Sequence, residues 1–217
     1  MNSRTKSLFL ILGIAATVLL VAAPAFSLGF TVHGYELGER IELMSGRQVW
    51  TAQLDVSLES VADHVAAFCV DLDSHIGIGD YDARDVLAAS ATSSPADEAP
   101  RDFAWAGHVM SHFGYDVDQL IDGGVTRVQA ITGVQAAIWD GLYGGGIVNA
   151  DSLSMGARSI FEAILDSEID AVGSALVIDL VGNQDQVISG PVPEPSAALV
   201  FGLGAVVAGG AIRRRQR

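Results

Sequence analysis

From Arg47 to Leu58 the residues alternate in character, with Trp50, Ala52, Leu54, Val56 and Leu58 on one side and Thr51, Gln53, Asp55 and Ser57 on the other. A period of two over this length fits a half-buried antiparallel strand and excludes an amphipathic helix, whose apolar positions recur every three or four residues. Such a strand needs partners. Val65 to Leu72 supplies one, with Phe68, Val70 and Leu72 on one face and Val65, Ala67 and Cys69 on the other. Phe30 to His33 and Ile41 to Leu43 are shorter candidates ahead of it, and Ala175 to Val181 returns as a strand near the end. Asn183-Gln184-Asp185-Gln186 then leads to a proline-rich exit.

Between these strands the pattern is helical. Asp82 to Ala89 has a helical look, Ser90 to Pro100 is a polar loop broken by prolines, and a helix is expected from Arg101 to Phe113, stopping at Gly114. Thr126-Arg127-Val128-Gln129 fits a capping box, so Gln129 has a structural task at the start of the next helix. The apolar stripe of that helix runs through Val128, Ile131, Ile138 and Leu142, with Gln135 completing it, and Gly144-Gly145-Gly146 ends it. Asp151 to about Val172 is a further helix. Strands, then helices, then a strand predict an α+β domain, a mainly antiparallel sheet with a helical insert.

The two ends carry addresses rather than fold. Arg4 and Lys6 precede an apolar run from Leu8 to Ala22 and a small-x-small site at Ala23-Pro24-Ala25, which reads as a signal peptide over residues 1–25. At the other end Pro193-Glu194-Pro195 precedes an uncharged run from Ala197 to Ile212 and the tail Arg213-Arg214-Arg215-Gln216-Arg217. At about 1.5 Å per residue those 16 residues fall short of a hydrocarbon layer roughly 30 Å thick, and snorkelling arginines would cover the deficit. Basic residues after the span put the C-terminus in the cytoplasm and the domain outside. This arrangement over residues 192–217 resembles the PEP-CTERM sorting signal of Gram-negative envelope proteins. The resemblance implies a membrane transpeptidase, an exosortase, that removes the tail near Pro193, Glu194 and Pro195. The exported protein would reach the periplasm, outer envelope, surface or extracellular matrix after a first anchoring in the inner membrane.

That leaves residues 28–190 as one extracytoplasmic domain, with 25 acidic residues against six arginines. So acidic a surface repels phosphate backbones, which disfavours nucleic-acid binding, and it suits solubility outside the cell. Lys6 is the sole lysine of the whole chain. Either an arginine-using genome or the need to keep amines away from a reactive acyl group accounts for that.

A single cysteine, Cys69, cannot form an internal disulfide, and a free exposed thiol is a liability in an oxidising compartment. It is therefore buried, paired between molecules, or chemically masked. Gln135 is the polar residue of a buried stripe, and burying an amide without a partner costs about 1–3 kcal/mol. It needs either a hydrogen-bonding network or a chemical role. Metal readings are weaker. Asp71, Asp73, Asp80 and Asp82 fail the spacing of an EF-hand loop, and His108 and His112, on one helix face with Trp105, have no obvious third ligand. No cofactor is required by any of these readings.

Phe68-Cys69 on a strand and Gln135-Ala136-Ala137-Ile138-Trp139 on a helix together resemble the thioester domains of bacterial surface adhesins. The likeness spans roughly residues 45 to 182, although members commonly have threonine before the glutamine and this chain has Val134. It implies a β-sandwich or barrel-like sheet with a helical subdomain, and an internal thioester between Cys69 and Gln135. An amine or hydroxyl of a partner would open that bond, giving covalent binding without turnover, so no enzyme is expected. Two further readings stand beside it. In one the domain is a non-covalent structural or matrix-associated envelope protein with Cys69 merely buried. In the other Cys69 works with His64 or His108 in a hydrolase, for which no motif supplies a base.

Overall fold

The computed structural model describes residues 28–89, 101–168 and 175–190. Residues 90–100 and both ends, which carry the expected signal peptide, the expected sorting signal and Pro193, Glu194 and Pro195, lie outside them. No helix among the described residues is long and apolar enough to cross a membrane.

Six strands close into an antiparallel barrel: β1 (Leu28–Glu42), β2 (Gln48–Leu58), β3 (Ala62–Cys69), β4 (Gly79–Ala88), β5 (Leu176–Leu180) and β6 (Gln186–Ile188). Their order around the barrel is β1-β2-β3-β6-β5-β4. The helical insert between β4 and β5 holds α1 (Phe103–Val109), α2 (Arg127–Leu142) and α3 (Met155–Leu165). The α1 helix widens at its end into a π-helical turn, Met110–Gly114. The expected mainly antiparallel sheet with inserted helices is thus present, in its barrel form.

Several elements differ from expectation. The two short candidates at Phe30 and Ile41 are one long strand, β1, interrupted by irregularities at Val32/Gly34 and Leu37/Arg40. Asp82 to Ala88 is extended rather than helical, because it lies in β4, which pairs with β1 over Gly79 to Ala83 and with β5 over Ala83 to Ala88, while Ala89 is in the turn beyond. Ladder hydrogen bonds on two edges override a weak local preference. The last helix is shorter than Asp151 to Val172: Ala150–Ser152 form a 3-10 turn, and α3 ends at Leu165. The polar exit after Asn183 contains β6, which closes the barrel by pairing Cys69 with Gln186 on one side and Ile178 with Gln186 on the other.

In β2 the alternation holds only in part. Leu54, Val56 and Leu58 are buried, but Trp50 is 58% exposed while Thr51 and Gln53 are buried. The α2 helix lies over this half of the strand: Thr51 Oγ1 sits 3.2 Å from Thr132 Oγ1, and Arg127 donates to Gln53 Oε1 at 2.9 Å. Polar residues of β2 are therefore buried under a helix instead of facing water.

The α2 helix itself is as expected. Thr126 Oγ1 accepts from the Gln129 N–H at 3.3 Å and Gln129 Oε1 accepts from the Thr126 N–H at 2.9 Å, a complete capping box. Val128 is 40% exposed, so the buried stripe begins a turn later, at Ile131. Gly133 lets α3 approach, since a Cβ there would stand 2.7 Å from Ile160 and 2.8 Å from the Ala157 carbonyl oxygen.

Candidate functional site

The β2–β3 ladder runs only as far as Leu54 opposite Ala67, so the peptide groups of Cys69 lie beyond its end. Gln135, fully buried on α2, fills the gap. Its Oε1 accepts from the Cys69 N–H at 3.1 Å, and its Nε2 donates to the Cys69 carbonyl oxygen at 2.8 Å. The side-chain amide thus completes the pairing of β3 where a strand is missing, and it brings together two residues 66 positions apart. Trp105 fixes the neighbouring turn of α2 by donating from Nε1 to the Ala137 carbonyl at 2.8 Å, close against Gly141.

Cys69 is 7% exposed as a residue, and its Sγ donates to Gln184 Oε1 at 3.0 Å. Burial pushes the thiol up to about 12; a hydrogen bond with Gln186 opposes the shift and the charge of Asp71 adds to it. The sulfur is therefore protonated at neutral pH. Gln186 Oε1 is buried with no partner among the described residues, as is Trp139 Nε1.

Gln184 and Gln186 are held by a buried ion cluster that sequence reasoning missed. Arg101 pairs with Asp71 and with Asp185, the latter at 3.3 Å, and stacks its guanidinium 4.9 Å from the Phe103 ring centre. The Asp185 N–H donates to Asp71 Oδ2 at 2.7 Å, and Gln184 Nε2 donates to the Asp71 carbonyl at 2.7 Å. Desolvation raises Asp185 to about 6, with Asp71 adding and the Leu180 N–H opposing. The available signal was the run Asn183 to Gln186 ahead of Val187-Ile188, a polar cluster meeting a short strand.

Beside this cluster a groove of about 310 Å³ opens to solvent, with Gln184 and Trp139 on one side and Trp50, His75 and Ile76 among its other walls. The remaining candidates fall elsewhere. His108 Nε2 meets Ser167 Oγ at 3.0 Å, His112 Nδ1 meets the His108 carbonyl at 2.9 Å, and His64 Nδ1 meets Asp55 at 3.0 Å. The Cys69 thiol is engaged by Gln184, so the geometry does not assemble a cysteine–histidine pair. The aspartates weighed for calcium also part company: Asp71 and Asp73, after β3, face Arg101 and Arg47, whereas Asp80 and Asp82 lie on β4, where Asp80 accepts from Thr31.

No family model and no curated protein matches this sequence. Among solved structures, the fold is similar to the N-terminal thioester domain of fibronectin-binding protein SfbI from Streptococcus pyogenes, at 14% identity and a TM-score of 0.46, over 79% of this chain and 97% of that one. It is also similar to the N-terminal domain of the Streptococcus pyogenes pilus tip adhesin Cpa, at 15% identity and a TM-score of 0.44, over 65% of this chain and 84% of that one. Both TM-scores lie below one half.

Proposed function

We propose that this chain is an exported surface-binding module whose Cys69 and Gln135 condense into an internal thioester that a partner's amine or hydroxyl opens. The observation that carries the proposal is the docking of the Gln135 carboxamide on the Cys69 peptide, through hydrogen bonds of 3.1 and 2.8 Å. The condensation requires the thiol to leave Gln184 and Sγ to reach the Gln135 carbonyl carbon. As the Sγ–Cδ bond forms, negative charge develops on Oε1, where the Cys69 N–H already points, as a donor in an oxyanion hole does. The Cδ–Nε2 bond then breaks, and ammonia leaves with the proton that burial has kept on sulfur. In the second half an amine or hydroxyl attacks the same carbon, the C–S bond breaks, and the incoming group's proton returns to Sγ. The product is an amide or ester through Gln135 and a free Cys69. Since nothing restores the amide, the event is single-use binding, not enzymatic turnover, and it needs no cofactor.

A second reading, a non-covalent envelope or matrix protein with Cys69 simply buried, draws on the same two bonds. A fully satisfied carboxamide is a stable brace, and losing Nε2 as ammonia would strip the Cys69 carbonyl of its donor. Intact mass of the purified mature protein separates the two. The covalent reading expects a chain one ammonia lighter than its sequence, which methylamine converts to the Gln135 N-methylamide, one methylene heavier than the sequence, together with one reactive thiol. A mass equal to the sequence, with Cys69 reactive only after unfolding, sinks it.

Export and sorting belong to the same proposal and rest on the two ends of the sequence. An exosortase would be the processing partner, acting near Pro193, Glu194 and Pro195 after the 197–212 segment has held the chain in the inner membrane. Glu194→Ala is expected to leave an uncleaved, membrane-associated form. Normal tail removal in that variant would reject the sorting reading.

A further inference from the structure

The rim of the barrel around Ser57 is irregular on both sides, and the irregularities gather three metal-ligating side chains. On β1, Val32 faces Val56 and Gly34 faces Asp55, so His33 is an extra residue with no opposite number on β2. On β3, Val65 faces Val56 and Ala62 faces Leu58, so Asp63 and His64 together oppose Ser57. His64 also adopts a left-handed backbone, with φ of 51°, which is uncommon for a residue other than glycine. Bulges re-aim side chains, and here two of them turn residues from β1 and β3 toward one spot across β2.

The result is a stacked pair of imidazoles, His33 and His64, with ring centres 4.4 Å apart and Asp63 beside them. One ligand atom from each of the three lies within 4.8 Å of the others, and all three residues are exposed. Their outer contacts orient them as ligands. His64 Nδ1 faces the Asp55 carboxylate at 3.0 and 3.1 Å, which leaves Nε2 as the lone-pair nitrogen when Nδ1 carries the proton. A carboxylate behind a ligating histidine is the usual support for a bound metal. Ser57 donates to Asp63 Oδ1 at 2.6 Å and lies 2.8 Å from His33 Nε2, so its hydroxyl, having given its proton to Asp63, accepts from that nitrogen. This leaves His33 Nδ1 with a lone pair and Asp63 Oδ2 open.

We propose that His33, Asp63 and His64 form a binding site for a zinc-type divalent metal ion, with water completing the coordination. Two imidazoles and a carboxylate are a zinc-compatible donor set, and metal bonds of about 2.1 Å would bring donors to about 3.4 Å from one another. This requires the stacked rings to swing apart until their in-plane lone pairs converge, a change of rotamer open to exposed side chains. The acidic domain concentrates cations at its surface. The ion would fasten β1 to β3, strands that are separated by β2 in the barrel. This site is independent of the Cys69–Gln135 reading.

The test is zinc titration of the chelator-treated full-length protein by calorimetry, with thermal unfolding and the cobalt(II) absorption spectrum as further readouts. One zinc per chain is expected, with a higher melting temperature and cobalt bands typical of nitrogen and oxygen ligation. His33→Ala and His64→Ala should each weaken binding at least tenfold, and Asp55→Asn by about tenfold through the support it gives His64. His75→Ala should leave the zinc affinity unchanged. Absence of saturable binding, or affinity untouched in both His33→Ala and His64→Ala while the proteins remain folded, overturns the proposal.

Discussion

The Gln135 amide is worth more to the fold than the Cys69 thiol, because its two hydrogen bonds go to the backbone of Cys69 and not to its side chain. Gln135→Met, similar in volume, would leave a buried N–H and a buried carbonyl without partners, and a loss of about 2–4 kcal/mol is expected from urea unfolding. Cys69→Ala keeps both bonds and should cost less, about 1–2 kcal/mol for a small buried side chain. Equal costs would mean that the amide is no brace. Asp185 gives a pH signature. Its folded value, about 6, stands above the ordinary 3.8 because burial disfavours the charge, so the native state holds this proton more tightly than the unfolded chain. Its contribution to stability is full below the ordinary value and is lost as pH rises through about 6. Asp185→Asn should therefore flatten the fall in melting temperature between about pH 4 and 7; an unchanged slope relative to the parent protein would count against the burial of that charge. At this scale Cys69 and Gln135 were legible, one as the lone thiol of the chain and the other as a polar break in an apolar stripe. Arg101, Asp71 and Asp185 were not, since their meeting depends on three distant segments reaching one place.

Among the elements, α2 was the most legible, because its start signal and its glycine stop are local chemistry. Thr126→Ala should cost about 1 kcal/mol through loss of the cap. Helix propensity and packing make opposite predictions for Gly133→Ala. Alanine would gain up to about 1 kcal/mol in an exposed helix, but here the methyl meets Ile160 and the backbone of Ala157 at under 3 Å. Overpacking of about 1–3 kcal/mol outweighs the gain, so net destabilisation by urea melts is expected, and a stabilised variant would show that α3 can move away. The strands were less legible. The composition of β4 carries no clear alternation, and its extended state comes from the ladders on both of its edges. Trp50 and Thr51 exchanged expected environments because a helix covers the outer side of β2, something a period of two cannot reveal.

Over the whole molecule, the excess of acids over arginines sets the response to salt. The pairs Arg47–Asp73 and Arg158–Glu162 are exposed and contribute little, whereas repulsion among the remaining carboxylates is spread over the surface. Raising ionic strength from about 0.05 to 0.5 M shortens the screening length several-fold, and the melting temperature should rise; a fall would mean that ion pairs dominate. Composition, the two end segments, the capping box and the Cys69 and Gln135 motifs are all readable along the chain, since each depends on neighbours a few residues away. Closure of the barrel by β6, the replacement of a missing strand by the Gln135 amide, and the gathering of His33, Asp63 and His64 around Ser57 depend on register between strands. Register is settled by which apolar faces pack together and where bulges relieve the sheet, so these features exist only once the chain is folded.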